Sequence, residues 1–436
     1  MYSSAEEKAM ITAMESFLSW LRKILPESLF RKLQLPYHYL LAWLGAVLFG
    51  FPSQRLTVIA VTGTKGKSSV VELVSSILEE VGYKTAHVST IHFKIGDKKE
   101  RNLHKMTMPG RFFLHRFLKK AVKAGCTHAV IEMTSEGARQ FRHKFIALDA
   151  LIFTNLAPEH IESHGSYENY VDAKVSIARA LETSKKPNKL LVVNGDDKEA
   201  RRFLEVFGGT KISFSKNDVR GAQITSDGVS FDWNGARVQS ALPGEFNMYN
   251  ILAALAYAKA AGIPVEKAAS GIRKVVGIPG RAEKINAGQN FDVIVDYAHT
   301  PDSLEKLYQT YAGKYRRCVL GNTGGGRDAW KRPVMGDIAE RYCDEIILTN
   351  EDPYDENPEK IVREMAAGMQ NKAPLFILDR RAAIREALRR SSIGDVVLIT
   401  GKGTDPYIMG PMGQREPWDD ATVVKEELRK LIADSV

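Results

Sequence analysis

The sequence predicts an α/β protein of two successive units, each a mostly parallel sheet covered by helices, behind a short helical N-terminal segment. Three observations carry this. A glycine-rich turn, GTKGKS at 63–68, stands between a short β-branched run and a stretch of helical spacing. Apolar runs then alternate with helix-like stretches, as in a parallel sheet with crossover helices. In the last third, apolar runs repeatedly end in glycine- or acid-rich loops, the usual position for ligands in an open sheet.

Each element follows in order. Residues 56–60 read as a buried strand and 70–80 as a helix. Residues 126–131, 148–153 and 190–193 give three more strands. The stretch SDGVSFDWNGARVQ at 226–239 carries Asp-Gly and Asn-Gly turns and reads as an appended antiparallel hairpin. Residues 250–261 are helical, and GIPG at 277–280 breaks the pattern. Beyond it, FDVIVDYAH, RCVLGNTGGGRD, DEIILTNEDPYDENP and DVVLITGKGTDP repeat one design, a strand running into a polar loop. The expected division is 1–54, 55–280 and 281–436.

The 436 residues exceed one ordinary core, and the net charge is +9. A basic chain suits nucleic acid, anionic lipid or phosphorylated small molecules. No basic tract alternates with aromatics, and no finger or helix-turn-helix pattern appears, so nucleic acid is set aside. Cys126, Cys318 and Cys343 are far apart and match no zinc spacing, which fits free structural thiols in a reducing compartment. Glu6 and Glu7 precede any apolar run, against a secretory signal. Residues 36–51, PYHYLLAWLGAVLFGF, hold no charged residue but are too short for an ordinary span. Phe17, Leu18, Leu21, Ile24 and Leu25 make an apolar face before them, beside Arg22 and Lys23. Two readings stand: a helical cap on the main unit, or an interfacial helix on the inner membrane leaflet.

The turn at 63–68 carries the chemistry. Gly63 and Gly66 permit a tight path for backbone N–H donors, and the following helix N-terminus favours an anion. Lys67 can reach terminal phosphates and Ser68 can ligate magnesium. Ala60 stands where the longer GxxxxGKS form has its first glycine. Glu132 ends an apolar run and offers a metal carboxylate. TNLAPEHIESHG at 154–165 offers Asn155, Glu159, His160 and His164, and Lys174 follows on the next helix.

Together these stretches resemble the Mur ligase family, ATP-dependent amide ligases of peptidoglycan precursor synthesis, over roughly residues 55–403. GTKGKSS resembles GTNGKTT; EMTSEGA resembles EVSSHGL of the branch that adds the third peptide residue; TNLAPEHIESHGSYENYVDAK resembles TNLxxDHLDYHG followed by YxxAK. NGDD, GEFNMYNILAA, GRAE, VDYAHTPDSL and GNTGGGRDAWKRPVMG follow in family order. The resemblance implies a central P-loop ATPase domain and a C-terminal Rossmann-like domain. It implies a nucleotide loop of Gly63, Thr64, Lys65, Gly66, Lys67, Ser68 and Ser69. Ser68 and Glu132 would hold one magnesium ion; Glu132, His160 and a Lys174 carboxylated on its amine by CO2 would hold a second. Asn250 and His299 would border adenine, Asp296 the ribose and Arg281 the phosphates. The implied reaction activates a substrate carboxylate as an acyl phosphate and then joins it to the amine of a free amino acid, in the cytoplasm.

The sequence also departs from the family. Residues 1–54 are apolar and helical where the family has a full α/β domain for the uridine diphosphate handle. A lipid-linked or non-muramyl peptide acceptor is therefore an alternative, as is a nucleotide-dependent membrane- or partner-binding module. In MTMPGRF, Thr107 and Pro109 match the family's acceptor stretch while Met108 replaces a threonine. Arg332 stands where the family grips the incoming carboxylate, and Asp405 near its partner for the amino group. Asp352 and Tyr354 fall in the stretch that reads DNPR in enzymes adding diaminopimelate. Tyr354 cannot give a bidentate guanidinium contact, and Asp355 and Glu356 add negative charge, an expectation of lysine or ornithine.

Overall fold

The computed structural model describes residues 27–433, apart from His160 and Arg327. The first sheet comprises β1 (Thr57–Thr62), β2 (Thr85–Val88), β3 (His92–Ile95), β4 (Lys98–Arg101), β5 (His128–Met133), β6 (Ala150–Phe153), β7 (Leu190–Asn194) and β8 (Thr210–Phe214), in the order β4-β3-β2-β5-β1-β6-β7-β8. From β2 to β8 the neighbours are parallel; β3 and β4 fold back antiparallel at one edge. Central β1 is buried on both faces. Its Ile59 and Val61 enter one core layer, Val58 and Ala60 the other. That is why the run is continuously apolar.

A three-stranded antiparallel sheet of β9 (Arg220–Thr225), β10 (Gly228–Trp233) and β11 (Ala236–Ser240) extends the expected hairpin by one strand. The second large sheet comprises β12 (Glu283–Lys284), β13 (Asp292–Asp296), β14 (Arg316–Leu320), β15 (Glu345–Leu348), β16 (Leu375–Phe376) and β17 (Val396–Thr400), in the order β12-β13-β17-β14-β15-β16. Only β12 is antiparallel. The four polar-ended runs of the sequence are β13, β14, β15 and β17.

The first described helix, α1 (Glu27–Phe49), contains residues 36–49 of the uncharged stretch. Leu41, Ala42, Ala46 and Phe49 are buried, and the helix packs on α2 (Arg111–Lys123). Gly45 permits the approach, since a Cβ there would lie 3.3 Å from His115 Cδ2. The opposite stripe, Tyr39, Leu40, Trp43, Leu44, Val47 and Leu48, is exposed. One face thus caps the main unit and the other is open. The apolar face at Phe17–Leu25 lies outside the described residues. No described helix is long and apolar enough to cross a membrane.

The expectation of three free thiols is corrected. Cys318, on β14, and Cys343, just before β15, form a disulfide, and only Cys126 is free. Parallel pairing of β14 with β15 sets Arg317 opposite Glu345 and brings the two cysteines together. Their separation of 25 residues in sequence hides this.

Two wholly buried histidines give the fold a pH dependence. Burial pulls His115 down to about 4 and His143 to about 3. Both are stabilised in the neutral form, so their contribution is complete above the unfolded value near 6.5. It is lost as pH falls toward 3–4. The urea midpoint should hold between pH 7 and 8 and fall steadily from pH 6.5 to 4.5, with a shallower fall in a His115→Gln/His143→Gln variant. A midpoint flat across the acid range would contradict this.

Candidate active site

The glycine-rich loop leaves the end of β1 and enters α3 (Lys67–Glu80). Gly63 and Gly66 have φ of 148° and 84°. A Cβ on Gly63 would lie 1.9 Å from Thr154 Oγ1, and one on Gly66 2.1 Å from Asn250 Oδ1. Both glycines are thus required by crowding as well as by conformation. Asn250 closes one side of the loop and donates to Asn247 Oδ1 at 3.0 Å. Ser68 and Ser69 are buried at the helix N-terminus.

Two lysines converge on this loop. Lys67 Nζ donates to the carbonyls of Gly63 at 2.9 Å and Thr64 at 2.8 Å. Lys174, on α4 (Tyr167–Glu182), donates to the same Gly63 carbonyl at 2.7 Å. Burial lowers the pKa of Lys67; burial, reinforced by the charge of Lys67, lowers Lys174 well below the usual amine range. Thr64 Oγ1 lies 2.8 Å from the Tyr170 hydroxyl, one turn before Lys174.

Glu132, the penultimate residue of β5, lies opposite Val61 of β1 and is fully buried. Among the described residues its hydrogen bonds come from Thr90, through the backbone N–H at 3.2 Å and the hydroxyl at 2.8 Å. Thr90 Oγ1 also lies 2.8 Å from Thr107 Oγ1. The expected acceptor stretch is therefore tied to the expected metal carboxylate. Pro109 is half-buried two residues on. A buried carboxylate whose hydrogen bonds among the described residues come from a neutral threonine, and whose charge reaches Lys67, suits a divalent cation with oxygen ligands. His160 lies outside the described residues. Its neighbour Glu159 takes Lys65 Nζ at 2.9 Å and stands 3.0 Å from His299 Nε2.

That contact bridges the two large sheets. On the second, Arg281 lies over the Tyr297 ring at 4.7 Å, and its charge reaches Lys67. Asp296 accepts the Ala282 and Ala298 N–H groups, each at 2.6 Å, while burial raises its pKa. His299 Nδ1 lies 2.7 Å from the Tyr297 carbonyl.

Further along the cleft, Lys402 Nζ meets Asp352 at 2.8 Å and Asp405 at 3.1 Å. Lys105, from the first unit, meets the same carboxylates at 2.6 and 3.3 Å and lies 5.8 Å from the Tyr354 ring centre. Arg101 reinforces the closure through Asp419 at 2.8 Å and the Thr404 carbonyl at 3.1 Å. Arg332, expected to grip the incoming carboxylate, is buried and paired with Glu364 at 2.6 Å and Glu356 at 2.9 Å. Asp355 accepts the Met412 N–H at 2.7 Å. Of the two acids expected to add negative charge, Glu356 is paired with Arg332, while Asp355 accepts only a neutral backbone N–H. Lys105 and Lys402 were not singled out from the sequence. The signal for Lys402 was its place in the loop directly after β17; Lys105 had none beyond preceding Thr107.

A phosphate loop at the centre of one parallel sheet, faced by an arginine and an aspartate from a second α/β unit, defines a two-unit nucleotide-dependent enzyme. The Mur ligase middle domain model matches residues 61–258, and that of the Mur ligase glutamate ligase domain residues 280–403. The UDP-N-acetylmuramyl-tripeptide synthetase of Roseiflexus sp. is 37% identical over 421 residues, covering 90% of this chain and 82% of that protein. The UDP-N-acetylmuramoyl-L-alanyl-D-glutamate–2,6-diaminopimelate ligase of Aquifex aeolicus is 36% identical, covering 87% and 79%. A solved structure of a ligase of the latter name aligns with TM-score 0.59 at 28% identity, covering 86% and 79%. Mycobacterium tuberculosis folylpolyglutamate synthase shares the fold, with TM-score 0.67 at 17% identity over 89% and 93%. The chain belongs to the Mur ligase family and is an ATP-dependent acid–amino-acid ligase.

The buried charge cluster sets a stability test. Lys402→Met leaves Asp352 without its buried cation and should cost about 3–5 kcal/mol in urea unfolding. Lys105→Met removes a more exposed partner and should cost clearly less. Equal losses would show that Lys402 does not carry the cluster.

Proposed function

We propose that this protein joins a free amino acid to the terminal carboxylate of UDP-MurNAc-L-Ala-D-Glu, consuming ATP. The carrying observation is the Thr107–Thr90–Glu132 chain, which ties the acceptor stretch to the phosphate site. Further support comes from the cavity of about 310 Å³ that begins beside that stretch, lined by Phe93, Arg101, Leu103, His104, Phe113 and Arg116. Its rings and guanidinium groups suit a base and a diphosphate, and we place the acceptor's handle there. The working units are 55–280 and 281–436, acting in the cytoplasm, where ATP is available. A lipid-linked acceptor is the second reading, favoured by the exposed apolar stripe on α1.

In this mechanism Lys67 and Arg281 offset charge as the acceptor carboxylate oxygen attacks the γ-phosphorus and the bond to ADP breaks. The amino acid's neutral amine then attacks the acyl carbon. The carbon–oxygen bond to phosphate breaks, phosphate leaves, and the amine's extra proton passes to solvent. Magnesium, held by Ser68, Glu132, His160 and carboxylated Lys174, would neutralise the β- and γ-phosphate oxygens. Contacts between the units, through Lys105 and Arg101, keep water from the acyl phosphate. Arg332, Asp352, Tyr354 and Asp405 line the amino-acid end, with Asn250, Asp296 and His299 around the nucleoside. The added residue we assign is diaminopimelate. The names of the relatives support it, and the pairing of Glu356 with Arg332 weakens the argument for lysine or ornithine.

Lys174 is the proposed carboxylation site because its amine is buried and its pKa is lowered well below the usual amine range. Its nitrogen would bond to CO2 carbon and release one proton. With ¹³C-labelled bicarbonate, a carbamate carbon resonance should appear in the intact protein and be absent from Lys174→Ala. The same spectrum in both proteins would overturn the assignment.

For the reaction itself, phosphate release should require ATP, UDP-MurNAc-L-Ala-D-Glu and diaminopimelate together, with a UDP-linked tripeptide seen by mass spectrometry. Handle-free L-Ala-D-Glu should be a much poorer acceptor. A lysine adduct would revise the amino acid alone. Phosphate release indifferent to acceptor and amine would defeat the ligase reading.

A further inference from the structure

We propose that Glu72, His87 and His92 form a second metal site, selective for zinc and separate from the magnesium site. Glu72 lies on α3, one turn beyond Ser68, while His87 is on β2 and His92 on β3. One ligand atom from each of the three residues lies within 4.8 Å of the other two. His87 Nε2 is 3.5 Å from Glu72 Oε1, and His92 Nε2 touches the same oxygen. The rings stand 4.7 Å apart.

Two further observations point to a ligand. His87 is wholly buried, and among the described residues its Nε2 has no hydrogen-bond partner, while it faces the Glu72 oxygen that His92 Nε2 contacts. Buried polar atoms are normally satisfied, and an unpartnered imidazole nitrogen aimed at a histidine–carboxylate pair suits a shared cation. His87 also has its other nitrogen, Nδ1, 3.0 Å from Ser75 Oγ. Such a contact fixes the ring and leaves Nε2 as the donor to a metal. Lys99 Nζ lies 3.5 Å from Glu72 Oε2, the oxygen turned away from the histidines. That ammonium is half exposed and leaves Oε1 to the site.

Two imidazoles and one carboxylate make a three-ligand zinc set, with a fourth position for water. Magnesium, which demands oxygen donors, is disfavoured. The metal would tie the helix that starts at the phosphate loop to the β2–β3 turn, whose Thr90 holds Glu132.

The test uses the untagged, chelator-treated full chain. After equilibration with zinc and gel filtration, elemental analysis should find one zinc per chain. Cobalt(II) should give the visible bands of a four-coordinate nitrogen–oxygen site. Both signals should persist in Lys67→Ala and be lost in His92→Gln and in Glu72→Gln, each checked for native circular dichroism. Zinc should also raise the Tm of the wild type but not of Glu72→Gln, which keeps the side chain's shape. Failure of the wild type to retain zinc, or undiminished binding in the folded variants, would show the trio to be a buried polar cluster only. Neither result depends on ligase turnover, so the inference stands or falls apart from the proposed function.

Discussion

Two lysine amines share the carbonyl of Gly63, and much of the site follows from that crowding. Buried ammonium groups repel each other and resist desolvation, so the pair is tolerable only beside anions or with one amine neutral. Glu132 and Glu159 supply negative charge nearby. A bound triphosphate would supply more, and the lowered pKa of Lys174 eases the repulsion. The loop can bring the amines so close only because Gly63 and Gly66 lack side chains where Thr154 and Asn250 press in. Backbone crowding, charge balance and nucleotide binding are one constraint.

The second unit is fastened to the first by charges as well. Lys105 and Lys402 share Asp352 and Asp405, Glu159 meets His299, and Arg101 reaches Asp419. In the proposed mechanism these links line the cleft where activated acceptor and amine would meet. Arg332 is held by two glutamates, which fixes its guanidinium while its Nε has no hydrogen-bond partner among the described residues.

The sequence showed the phosphate loop, the strands around it and the second α/β unit because each rests on local pattern. A β-branched run ending in Gly-Thr-Lys-Gly-Lys-Ser needs no distant information. β4 escaped because KKER has no apolar alternation; pairing with β3 alone makes it a strand. β2 and β3 are too short to show a period. At the site, Glu132 was legible from its place at a strand end. The role of Glu159 was not, since it depends on Lys65 and His299, 94 and 140 residues away. The acids at 355–356 were visible, but their partners Met412 and Arg332 were not. Charge read from sequence counts residues; the field in a cleft depends on what each has already paired with.

The fully charged, exposed β4 has another consequence. It ends the central sheet, and a bare sheet edge is a template for a strand from a second copy. Three cations and one anion in four residues make such stacking costly. Arg101, the last of them, also reaches across to the second unit. The strand that fastens the two units thus also guards the protein against edge-to-edge aggregation.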